Sequence, residues 1–206
     1  LPRGRADVGV PSRPVRVDRE VSTERDLFNA GGLFYELPSN NAGGIAMVRP
    51  IATHNLDIDD YCSWRGLTVM SVAAAGPGSS DRLMRAPAGP GALWLGVSDD
   101  LWDLGKVRGV GGPWMDTPVQ AGQPSDPYLM TGFSEKVLRL SHTSTGALGV
   151  RVEVDLTGTG LWVTYGTFDV PAGQVVEHRF PDGFNAYWVR TVASKDTSAT
   201  AQLTYR

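Results

Sequence analysis

Residues 49–71, RPIATHNLDIDDYCSWRGLTVMS, hold the densest set of reactive side-chain types in the chain. Within this stretch His54, Tyr61 and Arg65 offer a base, an acid and a cation. A polysaccharide lyase acting on a uronic-acid glycan needs those three groups, and proton transfer by His and Tyr is ordinary enzyme chemistry. The alternative is structural: His54 ends a strand, Tyr61 packs, and Arg65 pairs with an aspartate. We favour the structural alternative, a strand–turn–strand corner.

Three aspartates of the same stretch, Asp57, Asp59 and Asp60, have two further interpretations. Carboxylates that converge on one point bind Ca²⁺, although the segment lacks the glycine and the terminal glutamate of an EF-hand loop. Carboxyl pairs also serve glycoside hydrolases, at separations of roughly 5 to 10 Å. Short carboxylates equally favour turns, because they accept hydrogen bonds from nearby backbone N–H groups. We predict turn aspartates and no cofactor, with a structural calcium ion as the alternative.

Aromatic residues in the second half of the chain are candidates for binding sugars. Trp162, Tyr187 and Trp188 combine a large apolar area with a polar edge, which suits stacking on a pyranose ring. Successive residues of a strand point to opposite faces, so Tyr187 or Trp188 should lie outside the core. The alternative is that the outer ring packs beneath a loop.

These aromatic residues fall in a region with a clear strand pattern. Val150, Val152 and Val154 alternate with the charged residues Arg151, Glu153 and Asp155. Such alternation indicates a strand with one buried face and one polar face. Strands of this kind recur at about ten-residue intervals between turn residues, which is typical of a β-sandwich. We predict a sandwich of jelly-roll or immunoglobulin-like type over residues 113–206.

The first half of the chain is also predicted to form strands, but fewer than the second half. Short apolar segments bounded by Gly, Pro, Asn or Asp predict a propeller-blade-like antiparallel β-meander over residues 15–112. Residues 1–14 are rich in Pro, Gly and Arg and are predicted to form an extended arm. The Gly/Pro-rich segment that begins at residue 108 predicts a domain boundary near 112. The fold class is therefore all-β.

Composition excludes several classes of function. The net charge is −3 and the 19 basic residues are dispersed, which argues against a nucleic-acid surface. The sequence has no apolar run long enough for a membrane span. The single cysteine, Cys62, excludes an intrachain disulfide and zinc sites built on several cysteines. The first residue is Leu1, so we expect that further sequence precedes it.

Several segments together resemble one group of proteins. "LFYELP", "RPIATHN", "DYCSWRG", "LWLGVSDDLWDLGK", "GGPW" and "SDPYLMTGF" are similar to the C-terminal region of large, mostly uncharacterised bacterial proteins. In those proteins a β-propeller precedes a β-sandwich, and they occur among polysaccharide-degrading systems. The resemblance implies a glycan as partner and an N-terminal portion before this sequence.

From the residues and the resemblance we predict an accessory, glycan-associated module of a secreted carbohydrate-active protein, carbohydrate-binding or structural. Its localisation would be secreted or periplasmic. One alternative is a share in a lyase or hydrolase site completed by sequence before Leu1. The other is an oligomerisation or capping module without ligand, because an isolated blade leaves a sheet face for a second copy or for the N-terminal portion to cover.

Overall fold

The structure is a computed structural model that describes residues 1–4, 16–19, 26–74, 81–89 and 91–206. Strands make up 54% of it and helix 8%. In the described residues sixteen strands form four antiparallel sheets of four strands each. The predicted fold class, an all-β chain with a blade-like meander followed by a sandwich, is confirmed.

The chain divides into two compact units. The N-terminal unit is Arg3–Val107, and the C-terminal unit is Arg108–Arg206 together with Leu1–Pro2. Of the arm predicted over residues 1–14, residues 5–14 lie outside the described residues.

The first sheet of the N-terminal unit is a simple meander, in which neighbours in sequence are neighbours in space. Its strands are β1 (Arg16–Arg19), β2 (Asp26–Ala30), β3 (Leu33–Leu37) and β4 (Arg49–Thr53). Gly31 and Gly32, at φ of 60° and 80°, form the two-residue turn between β2 and β3. A hairpin turn with positive φ at both central positions matches the twist of the flanking strands. Two short 3₁₀ segments, Asn40–Ala42 and Gly44–Met47, lead into β4.

The second sheet of the N-terminal unit has the order β5-β6-β8-β7. Its strands are β5 (Asp57–Trp64), β6 (Leu67–Ala74), β7 (Leu83–Arg85) and β8 (Ala92–Gly96), and a 3₁₀ segment, Ser98–Leu104, follows. Apolar side chains from both sheets form one core with this segment. The buried members are Leu27, Phe34, Ile51, Ala52, Tyr61, Met70, Val72, Trp94 and Leu101. Two four-stranded antiparallel sheets, of which the first is a meander, share this core and have the character of propeller blades.

The C-terminal unit has eight strands in two sheets. They are β9 (Gly109–Val119), β10 (Tyr128–Leu129), β11 (Lys136–His142), β12 (Leu148–Asp155), β13 (Trp162–Val170), β14 (Val176–Arg179), β15 (Trp188–Ala193) and β16 (Thr197–Tyr205). The sheet orders are β9-β16-β11-β14 and β10-β15-β12-β13. Counted from one to eight, these orders are 1-8-3-6 and 2-7-4-5, the topology of a jelly roll. Of the two predicted sandwich types, the strand order is that of the jelly roll.

Strand β9 includes the segment that the sequence assigns to a linker, so residue 112 lies inside a strand. Its prolines, Pro113 and Pro118, are tolerated because β9 is an edge strand with one unpaired side. Gly112 is required by close packing, since a Cβ there would lie 2.0 Å from the carbonyl oxygen of Ala201. The glycines and prolines that the sequence analysis assigns to a linker are therefore part of an edge strand.

The predicted alternation in β12 is present in the fold. Val150, Val152 and Val154 are buried, and Val150 and Val154 face Ala193 and Val189 of β15 on the inner side of the sheet. Residues 151, 153 and 155 have the opposite direction and form the outer side. This arrangement places the charged residues of β12 beside the outward residues of β13 and β15.

Candidate functional site

His54 lies in the interior of the N-terminal unit, directly after β4. Only 5% of its surface is exposed. Its Nε2 is 3.0 Å from Oδ1 of Asn29, and its ring centroid is 5.0 Å from that of Phe34. Its backbone N–H donates to the carbonyl oxygen of Gly32 at 2.9 Å. These contacts hold the imidazole against the first sheet of its own unit.

Tyr61 and Arg65 have contrasting surroundings. Tyr61 is 3% exposed, and its hydroxyl donates to the carbonyl oxygen of Leu27 at 2.9 Å. Arg65 is exposed on the β5–β6 turn, with its guanidinium carbon 5.2 Å from the ring centroid of Trp64. Tyr61 lies three positions before the end of β5 at Trp64, about 10 Å along the strand, and Arg65 follows in the turn. The structure thus brings His54 and Tyr61 together in the core, around Phe34, and leaves Arg65 at the surface.

The three aspartates Asp57, Asp59 and Asp60 lie in strand β5, not in a turn as predicted. The register with β6 shifts on both sides of Ile58, so the start of the strand is irregular. Asp60 Oδ1 accepts the backbone N–H of Tyr61 at 2.8 Å. Within residues 26–74, 81–89 and 91–206, no group of three His, Cys, Asp or Glu side chains is placed to hold a metal ion.

Two of the predicted sugar-binding residues share one surface of the C-terminal unit. Trp188 on β15 and Trp162 on β13 are both direct cross-strand neighbours of Asp155 on β12. Direct neighbours point to the same side of a sheet, so the two indoles flank Asp155 on its outer side. Both are partly exposed. The third predicted residue, Tyr187, precedes β15, and its carbonyl oxygen accepts the N–H groups of Met130 and Thr131.

A network of charged residues lies next to this pair. Glu153 accepts from Arg151 Nε at 2.8 Å on one carboxylate oxygen and from Arg190 Nε at 2.7 Å on the other. The guanidinium carbon of Arg190 is 4.3 Å from the ring centroid of Trp162. We call the outer surface formed by Trp162, Trp188, Arg151, Glu153 and Arg190 the tryptophan face.

The electrostatics of Glu153 follow from its two partners. Burial opposes its ionisation, but the hydrogen bonds and positive charges of Arg151 and Arg190 outweigh that effect. The pKa of Glu153 therefore lies below its ordinary value, and the residue is a carboxylate at neutral pH. An ionised Glu153 holds both guanidinium groups in place on the tryptophan face.

Asp155 organises the loop at one end of the tryptophan face. Its carboxylate accepts three backbone N–H groups, those of Thr157, Gly158 and Gly160, at 2.7 to 3.2 Å. The side chain is 2% exposed. These three hydrogen bonds fix the β12–β13 loop that leads into Trp162.

The sequence predicts the two tryptophans and misses the three charged residues of the tryptophan face. Alternation already places Arg151 and Glu153 on the outer side of β12. The missing information is the register with β15, which sets Arg190 directly opposite Glu153. That register depends on pairing between strands distant in sequence.

A second cluster closes the seam between the two sheets of the sandwich. The hydroxyl of Tyr165 on β13 lies 2.8 Å from Nε2 of His178 on β14. Phe168, Phe180 and Phe184 surround the pair, with ring centroids 4.8 to 5.5 Å apart. Burial raises the pKa of Tyr165 and lowers that of His178, because it disfavours the charged form of each. The pair is a packed element of the sandwich edge.

No helix in the described part of the chain is both long enough and apolar enough to cross a membrane. Neither a known protein family nor a curated protein sequence matches the chain.

Two solved structures are similar to the chain at low identity. A crystal structure of PirA covers 44% of this chain and 90% of its own, with 13% identity and a TM-score of 0.29. A crystal structure of exo-β-1,3-galactanase from Phanerochaete chrysosporium with galactose covers 95% of this chain and 69% of its own. It has 10% identity and a TM-score of 0.26. At these TM-scores neither similarity bears on the function of this chain.

Proposed function

We propose that the C-terminal unit is a carbohydrate-binding module and that a glycan lies across its tryptophan face. The observation that carries this proposal is the alignment of Trp162 and Trp188 in one cross-strand row, both partly exposed, beside an ordered charged network. Exposed indoles next to fixed polar groups are what a pyranose requires, because its C–H faces stack and its hydroxyls form hydrogen bonds.

The tryptophan face is organised before any ligand arrives. Glu153 fixes both arginines, Arg190 stacks on Trp162, and Asp155 fixes the loop before Trp162. Side chains that are already ordered lose little conformational entropy on binding, and this favours affinity. The face is a strand surface of the sandwich, so its geometry is set by the sheet.

In this proposal the chain serves as an accessory module of a secreted or periplasmic carbohydrate-active protein, and the N-terminal unit is a blade-like scaffold. Catalysis by His54, Tyr61 and Arg65 is the weaker alternative. His54 and Tyr61 are in the core and bonded to groups of their own unit, whereas Arg65 lies on the exposed β5–β6 turn, beyond the end of the strand that carries Tyr61. A shared substrate would require the core to open.

Affinity electrophoresis of the full chain, through gels that contain a panel of neutral and acidic polysaccharides, tests the proposal. We expect retardation by at least one polysaccharide and a loss of about tenfold or more in affinity for Trp162→Ala, about 1.4 kcal/mol. Trp64→Ala is the matched control, since Trp64 is an exposed tryptophan of the N-terminal unit. Retardation by no polysaccharide, or equal losses in the two variants, would contradict the proposal.

A further inference from the structure

We infer that the tryptophan face takes an acidic glycan, whose sugars carry carboxylate or sulfate groups, and that Arg151 recognises the acidic group. The inference rests on the proposed function, because it specifies the ligand class of the same surface. It starts from the hydrogen-bonding capacity of the two arginines. Each guanidinium has five N–H donors, and only the Nε donor of Arg151 and of Arg190 is used on Glu153.

The terminal Nη groups of these arginines have no partner among the described residues. Side-chain exposure is 45% for Arg151 and 25% for Arg190. Arg190 is also stacked on Trp162, so its role is to position the indole. Arg151 has the more accessible pair of donors and is held by Glu153 in a fixed direction. A planar pair of guanidinium donors matches the two oxygens of a carboxylate or sulfate group.

The charge of the cluster formed by Arg151, Glu153 and Arg190 points in the same direction. One carboxylate, Glu153, is shared by two guanidinium groups, so this cluster of three residues has one positive charge in excess. The carboxylate of Asp155 is 2% exposed and is covered by three backbone N–H donors, which shield it from the surface without cancelling its charge. An acidic pyranose that stacks on an indole would complete the neutralisation at Arg151.

One further carboxylate on this side of the sheet opposes an acidic ligand. Asp169 on β13 is the cross-strand neighbour of Gly149, one row beyond Arg151, and it is exposed. At a diagonal distance of about 7 Å it reduces the attraction of Arg151 for an anion. Two substitutions on the same face should therefore have opposite effects on the binding of an acidic glycan.

Titration of the full chain with polygalacturonate, with its carboxyl-reduced form and with a sulfated galactan provides the test. We expect the polymer with the recognised acidic group to bind at least tenfold more tightly than the carboxyl-reduced polymer, and to weaken as salt is raised. Preference for polygalacturonate would identify a carboxylate as the recognised group, and preference for the sulfated galactan would identify a sulfate.

Three variants complete the experiment. Arg151→Gln should lose about tenfold in affinity for the acidic polymer and with it the preference for the acidic over the neutral polymer, whereas Asp169→Asn should gain severalfold for the acidic polymer. Arg139→Gln is the control: Arg139 is an exposed arginine on β11, paired with Glu177 on the other sheet, and its removal should change nothing. Equal affinity for acidic and neutral polymers, or an equal loss in Arg139→Gln, would overturn the inference and leave the proposed function standing. Binding to no polysaccharide would overturn both.

Discussion

The two units of the chain use hydrogen-bonded polar side chains for opposite purposes. In the N-terminal unit the polar atoms of His54 and Tyr61 bond to Asn29 and to the carbonyl oxygen of Leu27, deep inside the core. In the C-terminal unit the Nε groups of Arg151 and Arg190 donate to Glu153 at a surface, and the Nη groups of both arginines remain available as donors. The first set stabilises a fold, and the second is equipped to meet a ligand.

The comparison shows that residue type alone does not identify a site. Histidine, tyrosine and arginine within a short stretch are a chemically rich combination, but strand β5 buries Tyr61 and exposes its neighbours by simple alternation. The tryptophan face has an unremarkable sequence, "RVEVD" with a distant "WVR". Its chemistry arises only when β12 and β15 pair. The useful criterion is whether a fixed side chain still has unused donors or acceptors toward solvent.

The largest expected effect is a substitution that destabilises the C-terminal unit and leaves the N-terminal unit unchanged. Gly112→Ala places a Cβ 2.0 Å from the carbonyl oxygen of Ala201, so β9 has to move away from β16. We expect a loss of up to about 3 kcal/mol in the free energy of unfolding. Hydrogen exchange should accelerate across residues 109–206 and stay slow in residues 26–74, because each unit has its own core. Gly146→Ala is the control, since a Cβ there meets no atom within 4 Å. Equal acceleration in both units would show that the cores are not independent.

Local sequence patterns predict much of this architecture because most of it depends on neighbouring residues. Alternation identifies β12 and its inward valines, and turn residues separate the strands. The strand at 109–119 is not predicted from local sequence, because Gly112 is required by close contact with Ala201, a residue far away in sequence. The aspartates of β5 escape prediction for a similar reason: their strand conformation is imposed by pairing with β6. The sequence identifies Trp162 and Trp188 as candidates for binding sugars, but it does not predict that they lie in one cross-strand row.

The next effect tests the structural role of the buried tyrosine. Tyr61→Phe leaves the carbonyl oxygen of Leu27 without that hydroxyl, so we expect a loss of about 1 to 2 kcal/mol in the free energy of unfolding. Affinity for polysaccharides should not change. Tyr187→Phe is the control for stability, because Tyr187 is partly exposed and the hydrogen bonds found for it among the described residues are made by its backbone. Urea unfolding and affinity electrophoresis measure the two quantities, and a selective loss of glycan affinity in Tyr61→Phe would restore the catalytic alternative.

A smaller effect concerns pH and the seam of the sandwich. Burial holds the pKa of His178 below its ordinary value of 6.5. Between the two values the unfolded chain binds a proton that the folded chain does not, so stability rises with pH in that window. Acidification through the ordinary value should therefore lower the free energy of unfolding of the wild-type protein. His178→Asn should make that free energy depend less on pH. Urea unfolding at about pH 7.5 and about pH 5.5 measures both slopes. An unchanged slope in the variant would assign the pH dependence to other groups.

The smallest effect concerns Arg65 and should be a gain. Arg65 lies on the β5–β6 turn at φ 50°, followed by Gly66 at φ 82°. This left-handed conformation is costly for most residues and favoured by asparagine, so Arg65→Asn should stabilise the turn. The same change removes the stacking of the guanidinium on Trp64, which is worth about 0.5 kcal/mol at an exposed site.

The two contributions to the Arg65→Asn effect can be separated with a second substitution. We expect Arg65→Asn to stabilise the protein by a few tenths of a kcal/mol, and by about 0.5 kcal/mol more in a Trp64→Ala background, where no stacking is lost. Arg65→Lys keeps the cation and the backbone cost, so it should be nearly neutral. Polysaccharide affinity should be the same in the wild-type protein and in all of these variants, because the glycan lies on the tryptophan face. A variant at Arg65 that is more stable but no longer binds a glycan would place the ligand on the N-terminal unit and reverse the comparison between the two units.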